Sequence, residues 1–347
     1  MNPNSELIAP DASSTPQQTR QRVLSGMRPT GALHLGHYHG ALKNWVRLQS
    51  VHDCFFFVAD WHALTTHYQD RGEIERNVYD MVIDWLAAGI DPEQATLFIQ
   101  SRMPEHAELF TLLAMSTPSS WLERIPSYKD QVEKNRELAT YGFLGYPLLQ
   151  AADILIYKAA FVPVGEDQTA HVEVTREVAR RFNRIYSPDR AILPEPQELL
   201  TETARLPGLD GQKMSKSAGN AIAMRDAPAV VEEKIRTMPT DPQRVRLGDP
   251  GEPARCPVWP LHELYSNAET QAWAAEGCRS AGIGCLDCKQ PLIQAIHKEQ
   301  EPWRERAESY LANPKQVQWI VEVGTERARA VARKTLREVR TAMGLAY

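Results

Sequence analysis

The segment 27–40, MRPTGALHLGHYHG, follows a short apolar run at 23–25 and leads into an amphipathic pattern. Leu42, Trp45 and Val46 recur at helical spacing in that pattern, whereas the run before the segment suits a buried strand. A strand, a glycine-containing turn and a helix start together form an anion-binding place, because unpaired backbone N–H groups point outward there. The segment therefore predicts an anion-binding turn between a strand and a helix.

This turn carries two histidines and a glycine, His34, Gly36 and His37. Imidazoles can donate hydrogen bonds to phosphate oxygens, and a glycine without Cβ lets a flat base approach the backbone. A surface turn that holds histidines by chance is the alternative, and the segment alone does not decide between the two.

A second segment, KMSKS at 213–217, follows the loop GLDG at 208–211. Its two lysines form a cationic clamp that suits charge developing on a leaving pyrophosphate, where electrostatic stabilisation dominates the barrier. A short Lys/Ser run alone is usually a solvated loop. Together, HLGH and KMSKS resemble the two signatures of the class I aminoacyl-tRNA synthetases, in which isoleucine stands at the position of Leu35.

Composition describes an ordinary globular chain whose 347 residues suffice for two domains. The net charge of −5 and the pI near 6.1 give no global sign of nucleic-acid binding, so any RNA contact must come from local basic faces. No apolar run approaches the ~20 residues of a membrane span, and the N-terminus lacks a signal-peptide pattern. We expect a cytoplasmic protein without membrane contact.

Apolar runs and helical patterns alternate along the first half of the chain. Strands are predicted at 54–59, 95–99 and 161–165, and helices at 73–88, 105–115 and 171–182. The alternation predicts an α/β fold with a Rossmann-like, doubly wound parallel sheet, whose ligands lie beyond the carboxyl ends of the strands. Neither a P-loop nor a Gly-x-Gly-x-x-Gly motif is present, so the nucleotide is expected at the histidine turn.

The segment 146–157, YPLLQAADILIY, predicts a buried helix with Pro147 in its first turn. Its polar residues share one face: Tyr146, Gln150, Asp153 and Tyr157. A carboxylate on a buried helix is costly unless it is paired or functional. Either a salt bridge or a polar stripe that lines a small-molecule pocket explains Asp153.

This helix and the run VPVGEDQTAHVEVTREVARRFN at 162–183 resemble the tryptophanyl-tRNA synthetases, and the resemblance extends from Val23 to the last helix. It implies a homodimeric enzyme that uses ATP and Mg²⁺ to convert L-tryptophan to tryptophanyl-adenylate and then charges tRNA(Trp). A tyrosine–tRNA ligase, a non-tRNA nucleotidyltransferase and a non-catalytic RNA-binding paralogue are the alternatives.

The resemblance implies a role for each matching position, with Asp153 as acceptor of the indole N–H. The residues expected to contact tryptophan are His62, Tyr146, Gln150, Asp153, Val162, Val164 and Gln168. Those expected to bind ATP are Arg28, Thr30, Gly36, His37, Gly165, Asp167, Lys213, Met214, Ser215, Lys216 and Ser217. The catalytic set is His34, His37, Lys213 and Lys216. Two of these positions depart from the pattern: Gln150 replaces the methionine of several relatives, and Arg28 the glutamine of many.

The second half of the chain shows helical patterns only. We predict a disordered tail at 1–21, a catalytic sheet domain at 22–220 and an all-helical domain at 221–325. The resemblance implies that this helical domain binds the anticodon and that the final helix, about 326–347, packs back onto the sheet domain. Asp226 is a plausible N-cap for a helix at 227–238. Most basic residues of the last helix are interpreted as a solvated face.

Four cysteines lie close together, with 21, 6 and 2 residues between Cys256, Cys278, Cys285 and Cys288. Such a cluster in a loop-rich part of a cytoplasmic protein favours a metal site, and four thiolates suit either zinc or an iron–sulfur cluster. The spacing resembles that of tryptophanyl enzymes with a [4Fe–4S] cluster, although their first gap is one residue longer. We expect this cluster, with Zn²⁺ as the alternative.

Overall fold

The structure is a computed structural model that describes residues 20–69, 71–165, 168–200, 206–215 and 218–347. Residues 1–19 of the predicted tail, together with Asp167, Lys216 and Ser217, lie outside the described residues. No helix in the described ranges is long and apolar enough to cross a membrane.

Within the described residues, five strands form one sheet in the order β3-β2-β1-β4-β5, and every neighbouring pair is parallel. The strands are β1 (Arg22–Met27), β2 (Asp53–Val58), β3 (Ala95–Ile99), β4 (Phe161–Val164) and β5 (Gln197–Leu200). The predicted α/β class with a doubly wound parallel sheet is confirmed. Strand β5 escapes prediction because its sequence, QELL, lacks the apolar run of a buried strand. The strand order reverses between β1 and β4, which makes their carboxyl ends a topological switch point.

Helices surround the sheet, and beyond β5 the described chain contains no further strand. The helices are α1 (Leu35–His37), α2 (Lys43–Leu48), α3 (Asp60–His67), α4 (Arg71–Ala88), α5 (Pro104–Ala114), α6 (Ser119–Glu123), α7 (Pro126–Lys134), α8 (Tyr141–Ile156), α9 (Thr169–Tyr186), α10 (Pro228–Thr237), α11 (Trp259–Tyr265), α12 (Ala268–Arg279), α13 (Cys285–Ala312) and α14 (Pro314–Ala342). A π-helical turn (Tyr38–Leu42) joins α1 to α2.

One predicted helix start and one predicted helix cap are wrong. Helix α8 begins earlier, where Thr140 Oγ1 accepts the backbone N–H of Phe143 (3.2 Å), so Pro147 lies inside the helix. The glycines that precede Pro147 interrupt the apolar periodicity in these first turns, so the sequence pattern does not predict them. Asp226 does not cap α10, because its carboxylate is paired with Lys234 Nζ (2.6 Å) instead.

Alternate residues of the strands enter two apolar clusters, one on each face of the sheet. Phe56 lies in one cluster and Phe57 in the other, as a sheet buried on both faces requires. The first cluster is continuous with the helical region and includes Leu292, Ile296 and Trp303 of α13. No break in the core marks the boundary near residue 220, so the division into 22–220 and 221–325 stays a prediction.

The final helix, α14, lies directly against β3. A Cβ on Gly324 would overlap the carbonyl oxygen of Leu97, so the helix approaches the strand too closely for any side chain at this point. The interpretation of most of its basic residues as a solvated face is confirmed, because Arg327, Arg333, Lys334, Arg337 and Arg340 are exposed, whereas Arg329 is half-buried. Arg329 and Arg333 both pair with Glu105 of α5, at 3.4 and 3.1 Å. The sequence does not show this pairing because the two helices meet only in the folded chain.

Candidate active site

A cavity of about 630 Å³ opens at the carboxyl ends of β1 and β4. Its lining includes these predicted site residues: Arg28, Thr30, Gly36, His37, His62, Tyr146, Gln150, Asp153, Val162, Val164, Gly165 and Gln168. Four further predicted residues are described but lie outside the lining: His34, Lys213, Met214 and Ser215. The cavity therefore collects segments that are far apart in the sequence at the switch point of the sheet.

Backbone pairing holds the histidine turn against the segment that follows the lysine loop. The N–H of Leu35 donates to the carbonyl oxygen of Ile222 (3.0 Å), and the N–H of His34 donates to Nδ1 of His37 (3.2 Å). Burial lowers the pKa of His34 to about 4. Burial, assisted by the nearby His34 and by the charge of Lys213, lowers the pKa of His37 to about 3. Both rings are therefore neutral at pH 7, and the proton of His37 resides on Nε2, where it can be donated to a phosphate.

Gly36 separates these two imidazoles from the lysine loop. A Cβ at this position would lie 2.9 Å from His34 Nδ1 and 3.7 Å from Cβ of Met214, which is buried. A side chain here would therefore displace the His34 ring, whereas its contact with Met214 would be an ordinary van der Waals contact. His34 Nδ1 is itself buried and has no hydrogen-bond partner in the described part of the chain.

A buried asparagine holds the described part of the lysine loop. The side-chain oxygen of Asn220 accepts the N–H of Ser215 (2.7 Å), and its amide nitrogen donates to Asp210 (2.7 Å) and to the carbonyl oxygen of Lys213 (3.2 Å). Gly208 gives it room, because a Cβ there would overlap the asparagine side chain. The Lys213 side chain is exposed.

Asp153, which is 1 % exposed, lies at the centre of a buried hydrogen-bond network. His62 Nε2 donates to Oδ2 (2.7 Å), His106 Nδ1 donates to Oδ1 (2.6 Å), and Gln100 Nε2 lies 2.9 and 3.0 Å from the two oxygens. Burial opposes ionisation, but the hydrogen bonds from His106 and His62 outweigh it, and the pKa of Asp153 lies below its ordinary value. An ionised carboxylate only accepts, so this part of the cavity wall selects a donor.

The surrounding wall is partly apolar and partly polar. Val162 and Val164 of β4 are both buried and face the cavity. Gln150 Oε1 accepts a hydrogen bond from His171 Nδ1 (2.8 Å), which fixes the orientation of this amide. Tyr146 lies beside it on the same helix face, one turn earlier.

Arg28 brings a positive charge to the end of β1. Its Nη2 donates to the hydroxyl of Thr66 and lies 3.3 Å from His67 Nδ1, while its Nε is buried without a partner in the described residues. Burial lowers the pKa of Arg28, although the nearby Tyr146 opposes this shift. A guanidinium that lines the cavity suits an anionic group of the ligand.

The clustered cysteines, Cys256, Cys278, Cys285 and Cys288, line a second cavity of about 30 Å³, beside Lys289. All of them are free thiols. The predicted loop-rich setting is wrong, because three of them lie on helices: one in α12 and two in the first turn of α13. Among the described residues, no group of three or more His, Cys, Asp or Glu side chains is arranged to hold a metal ion.

Three residues of the site are absent from the sequence predictions: Gln100, His106 and Asn220. Gln100 directly follows β3, so its place at a strand end is a signal that could have identified it. His106 occupies the buried face of α5, where a histidine is usually a plain core residue. Asn220 contacts the loop only through the fold, and no spacing rule points to it.

Comparisons with known proteins give one consistent family. A family model described as tRNA synthetases class I (W and Y) matches residues 16–299. The tryptophan–tRNA ligase of Ralstonia nicotianae is 56 % identical, over 94 % of this chain and 99 % of the relative. That of Thermotoga maritima is 50 % identical, over 94 % of this chain and 100 % of the relative. The crystal structure of tryptophanyl-tRNA synthetase from Campylobacter jejuni, complexed with ADP and tryptophan, superposes with a TM-score of 0.84 at 33 % identity, covering 93 % of this chain and 100 % of that chain.

These relatives favour tryptophan over tyrosine as the amino acid. They also span nearly the whole chain, including the helical region that a small nucleotidyltransferase lacks. The chain therefore belongs to the class I tRNA synthetases and, within them, to the tryptophan–tRNA ligases.

Proposed function

We propose that tryptophan binds in the large cavity with its indole N–H donated to Asp153. The observation that carries this proposal is a buried, ionised carboxylate in the cavity wall. A site built to hydrogen-bond its substrate rejects an analogue without the donor by ~10⁴-fold or more, whereas apolar shape alone discriminates weakly. Val162 and Val164 pack against the indole, and Tyr146 and Gln168 hold the α-ammonium group. His62 and Gln150 complete the amino-acid site.

Ligation of tryptophan to tRNA has two steps. The tryptophan carboxylate attacks the α-phosphorus of ATP, pyrophosphate leaves, and tryptophanyl-adenylate remains. The terminal ribose hydroxyl of tRNA(Trp) then takes the acyl group and releases AMP. The first step needs no general base, because alignment and charge neutralisation supply most of the effect.

ATP binds at the other end of the same cavity. His34 and His37 donate to phosphate oxygens as neutral imidazoles, and Lys213 and Lys216 stabilise the departing pyrophosphate together with the Mg²⁺ that accompanies ATP. Arg28 and Thr30 lie at the turn that receives the phosphates. Gly165 and Asp167 contact the ribose, and Met214, Ser215 and Ser217 complete the loop.

We propose a [4Fe–4S] cluster at the cysteine cavity. Four free thiols line one cavity and supply the donor set of this group, although among the described residues they are not arranged as a metal site. Cations beside them would offset the negative charge of thiolates: Lys289 lines the cavity, and Arg244 Nη1 lies 3.9 Å from Cys278 Sγ. The bound group would tie α12 and α13 to the segment at Cys256 through its iron–thiolate bonds. Zn²⁺ is the alternative. Colourless, iron-free protein after anaerobic purification would contradict the cluster, and stoichiometric zinc in that protein would favour the alternative.

We propose further that residues 221–325 bind the anticodon of tRNA(Trp), that the chain acts as a homodimer, and that it works in the cytoplasm. Two large apolar side chains on the catalytic part are strongly exposed in the single chain, Met115 at 70 % and Tyr141 at 74 %, and a subunit contact would cover them. Sedimentation of the wild type against Met115→Glu tests this proposal. Two monomeric proteins would contradict it.

Amino-acid-dependent ATP–pyrophosphate exchange tests the proposed activity, with tryptophan and tyrosine assayed side by side. We expect exchange with tryptophan alone. Exchange with tyrosine would contradict the assignment of Asp153, and no exchange with either would favour the non-catalytic paralogue.

A further inference from the structure

The side of Asp153 that faces away from the cavity has its own hydrogen-bond partners. Asp153 and His62 line the cavity, whereas Gln100, His106 and Tyr157 are absent from the described lining. His106 and Gln100 are both fully buried and contact Asp153 from behind. They therefore cannot touch tryptophan directly.

These residues form a chain of donors with a defined direction. His106 Nδ1 donates to Asp153 (2.6 Å), so the neutral imidazole accepts at Nε2, and the hydroxyl of Tyr157 lies 2.6 Å from that nitrogen as its donor. Tyr157 is fully buried, and its ring also lies against His106 with centroids 5.3 Å apart. The tyrosine thus fixes the tautomer and the ring orientation that the carboxylate requires.

We infer that His106 and Gln100, held by Tyr157, are positioning residues that set the amino-acid specificity of the site by keeping Asp153 an oriented acceptor. Without them, a carboxylate so deeply buried would take up a proton. A protonated carboxyl can rotate and donate, so it would tolerate a ligand that lacks an indole N–H. The inference rests on the proposed contact between Asp153 and tryptophan.

The test compares kcat/KM in pyrophosphate exchange for tryptophan and for its benzothiophene isostere, which carries sulfur in place of the indole N–H. The variants are His106→Leu and the near-isosteric Gln100→Met, with His106→Gln as a rescue that restores a donor. We expect the preference for tryptophan to fall at least about tenfold in the first two, the value of one hydrogen bond to a charged group. The loss should lie in KM, with kcat for tryptophan changed less than about threefold, because neither residue touches the reacting atoms.

Phe98→Leu is the matched control, because Phe98 packs against the rings of both His106 and Tyr157 but donates no hydrogen bond. It should lower the melting temperature and leave the preference unchanged. An unchanged preference in folded His106→Leu and Gln100→Met would overturn the inference, and so would an equal loss in Phe98→Leu. If His106→Leu does not fold, Gln100→Met alone decides.

Asp153→Asn separates this inference from the proposed function. If Asp153→Asn loses the preference while the His106 and Gln100 variants keep it, the positioning role is wrong and the contact with tryptophan stands. If the wild type uses tryptophan and its benzothiophene isostere equally well, the proposed contact between Asp153 and tryptophan is wrong and both proposals fail.

Discussion

The two ends of the large cavity are built on different principles. At the amino-acid end, Asp153 has donors on both oxygens, and these hydrogen bonds stabilise its negative charge before any ligand binds. The phosphate end is different. His34 Nδ1 is buried without a partner among the described residues, and the Lys213 side chain is exposed to solvent. Specificity therefore depends on a preorganised acceptor, whereas activation depends on groups that acquire their partners only when ATP binds.

The largest effect is expected at the amino-acid end. Asp153→Asn removes the negative charge and replaces one of the two acceptor oxygens with an NH₂ donor, which meets the donors of His62, His106 and Gln100. We therefore expect kcat/KM for tryptophan to fall by about 10²- to 10³-fold. The loss should lie mainly in KM, as measured by pyrophosphate exchange. A variant with wild-type KM and wild-type rejection of the benzothiophene isostere would show that this end is not the specificity site.

At the phosphate end, we expect kcat to change rather than KM. Lys213→Ala removes charge stabilisation that matters only as pyrophosphate departs, so kcat of exchange should fall by about 10²-fold while KM for tryptophan changes less than about threefold. The matched control is Lys129→Ala, which also removes an exposed lysine but one that is distant in the sequence from the lysine loop. A higher KM for tryptophan with unchanged kcat would reverse the comparison between the two ends.

A smaller effect is expected where the fold supports the phosphate end. Asn220→Ala removes the hydrogen bonds that this side chain makes to the N–H of Ser215, to Asp210 and to the carbonyl oxygen of Lys213, which should destabilise the ordered loop by about 1–3 kcal/mol. We expect a roughly tenfold rise in KM for ATP at constant KM for tryptophan. Equal changes in both constants would indicate general unfolding rather than a local loop defect.

The smallest effect concerns pH. The pKa of His37 is about 3 in the folded protein, below the value of about 6.5 of the unfolded chain, so the unfolded state binds the additional proton. Its contribution to stability is full above pH ~6.5 and declines as the pH falls toward the folded pKa, by up to about 1.4 kcal/mol per pH unit. Urea unfolding at pH 7, 6 and 5 should show a weaker acid loss for His37→Asn than for the wild type. Parallel pH profiles would contradict a neutral His37.

Local patterns predicted much of the fold but not the contacts between distant elements. The runs at 54–59 and 95–99 predicted β2 and β3 because buried parallel strands are continuous apolar segments. The place of Asp153 on a polar stripe of α8 followed from helical spacing. Its partner Gln100 comes from the turn after β3 and its partner His106 from α5, and no local pattern connects these elements to α8. The pairing of Glu105 with Arg329 and Arg333 of α14 escaped for the same reason, since only the fold brings these helices together.

The most direct measurement is a crystal structure of the tryptophan complex, with the distance from the indole nitrogen to the Asp153 carboxylate as the quantity of interest. We predict a hydrogen bond of about 2.7–3.2 Å, with Gln100 and His106 still bound to the carboxylate from behind. An indole nitrogen that points away from Asp153, with His62 still bound to the carboxylate oxygen that faces the cavity, would contradict the account.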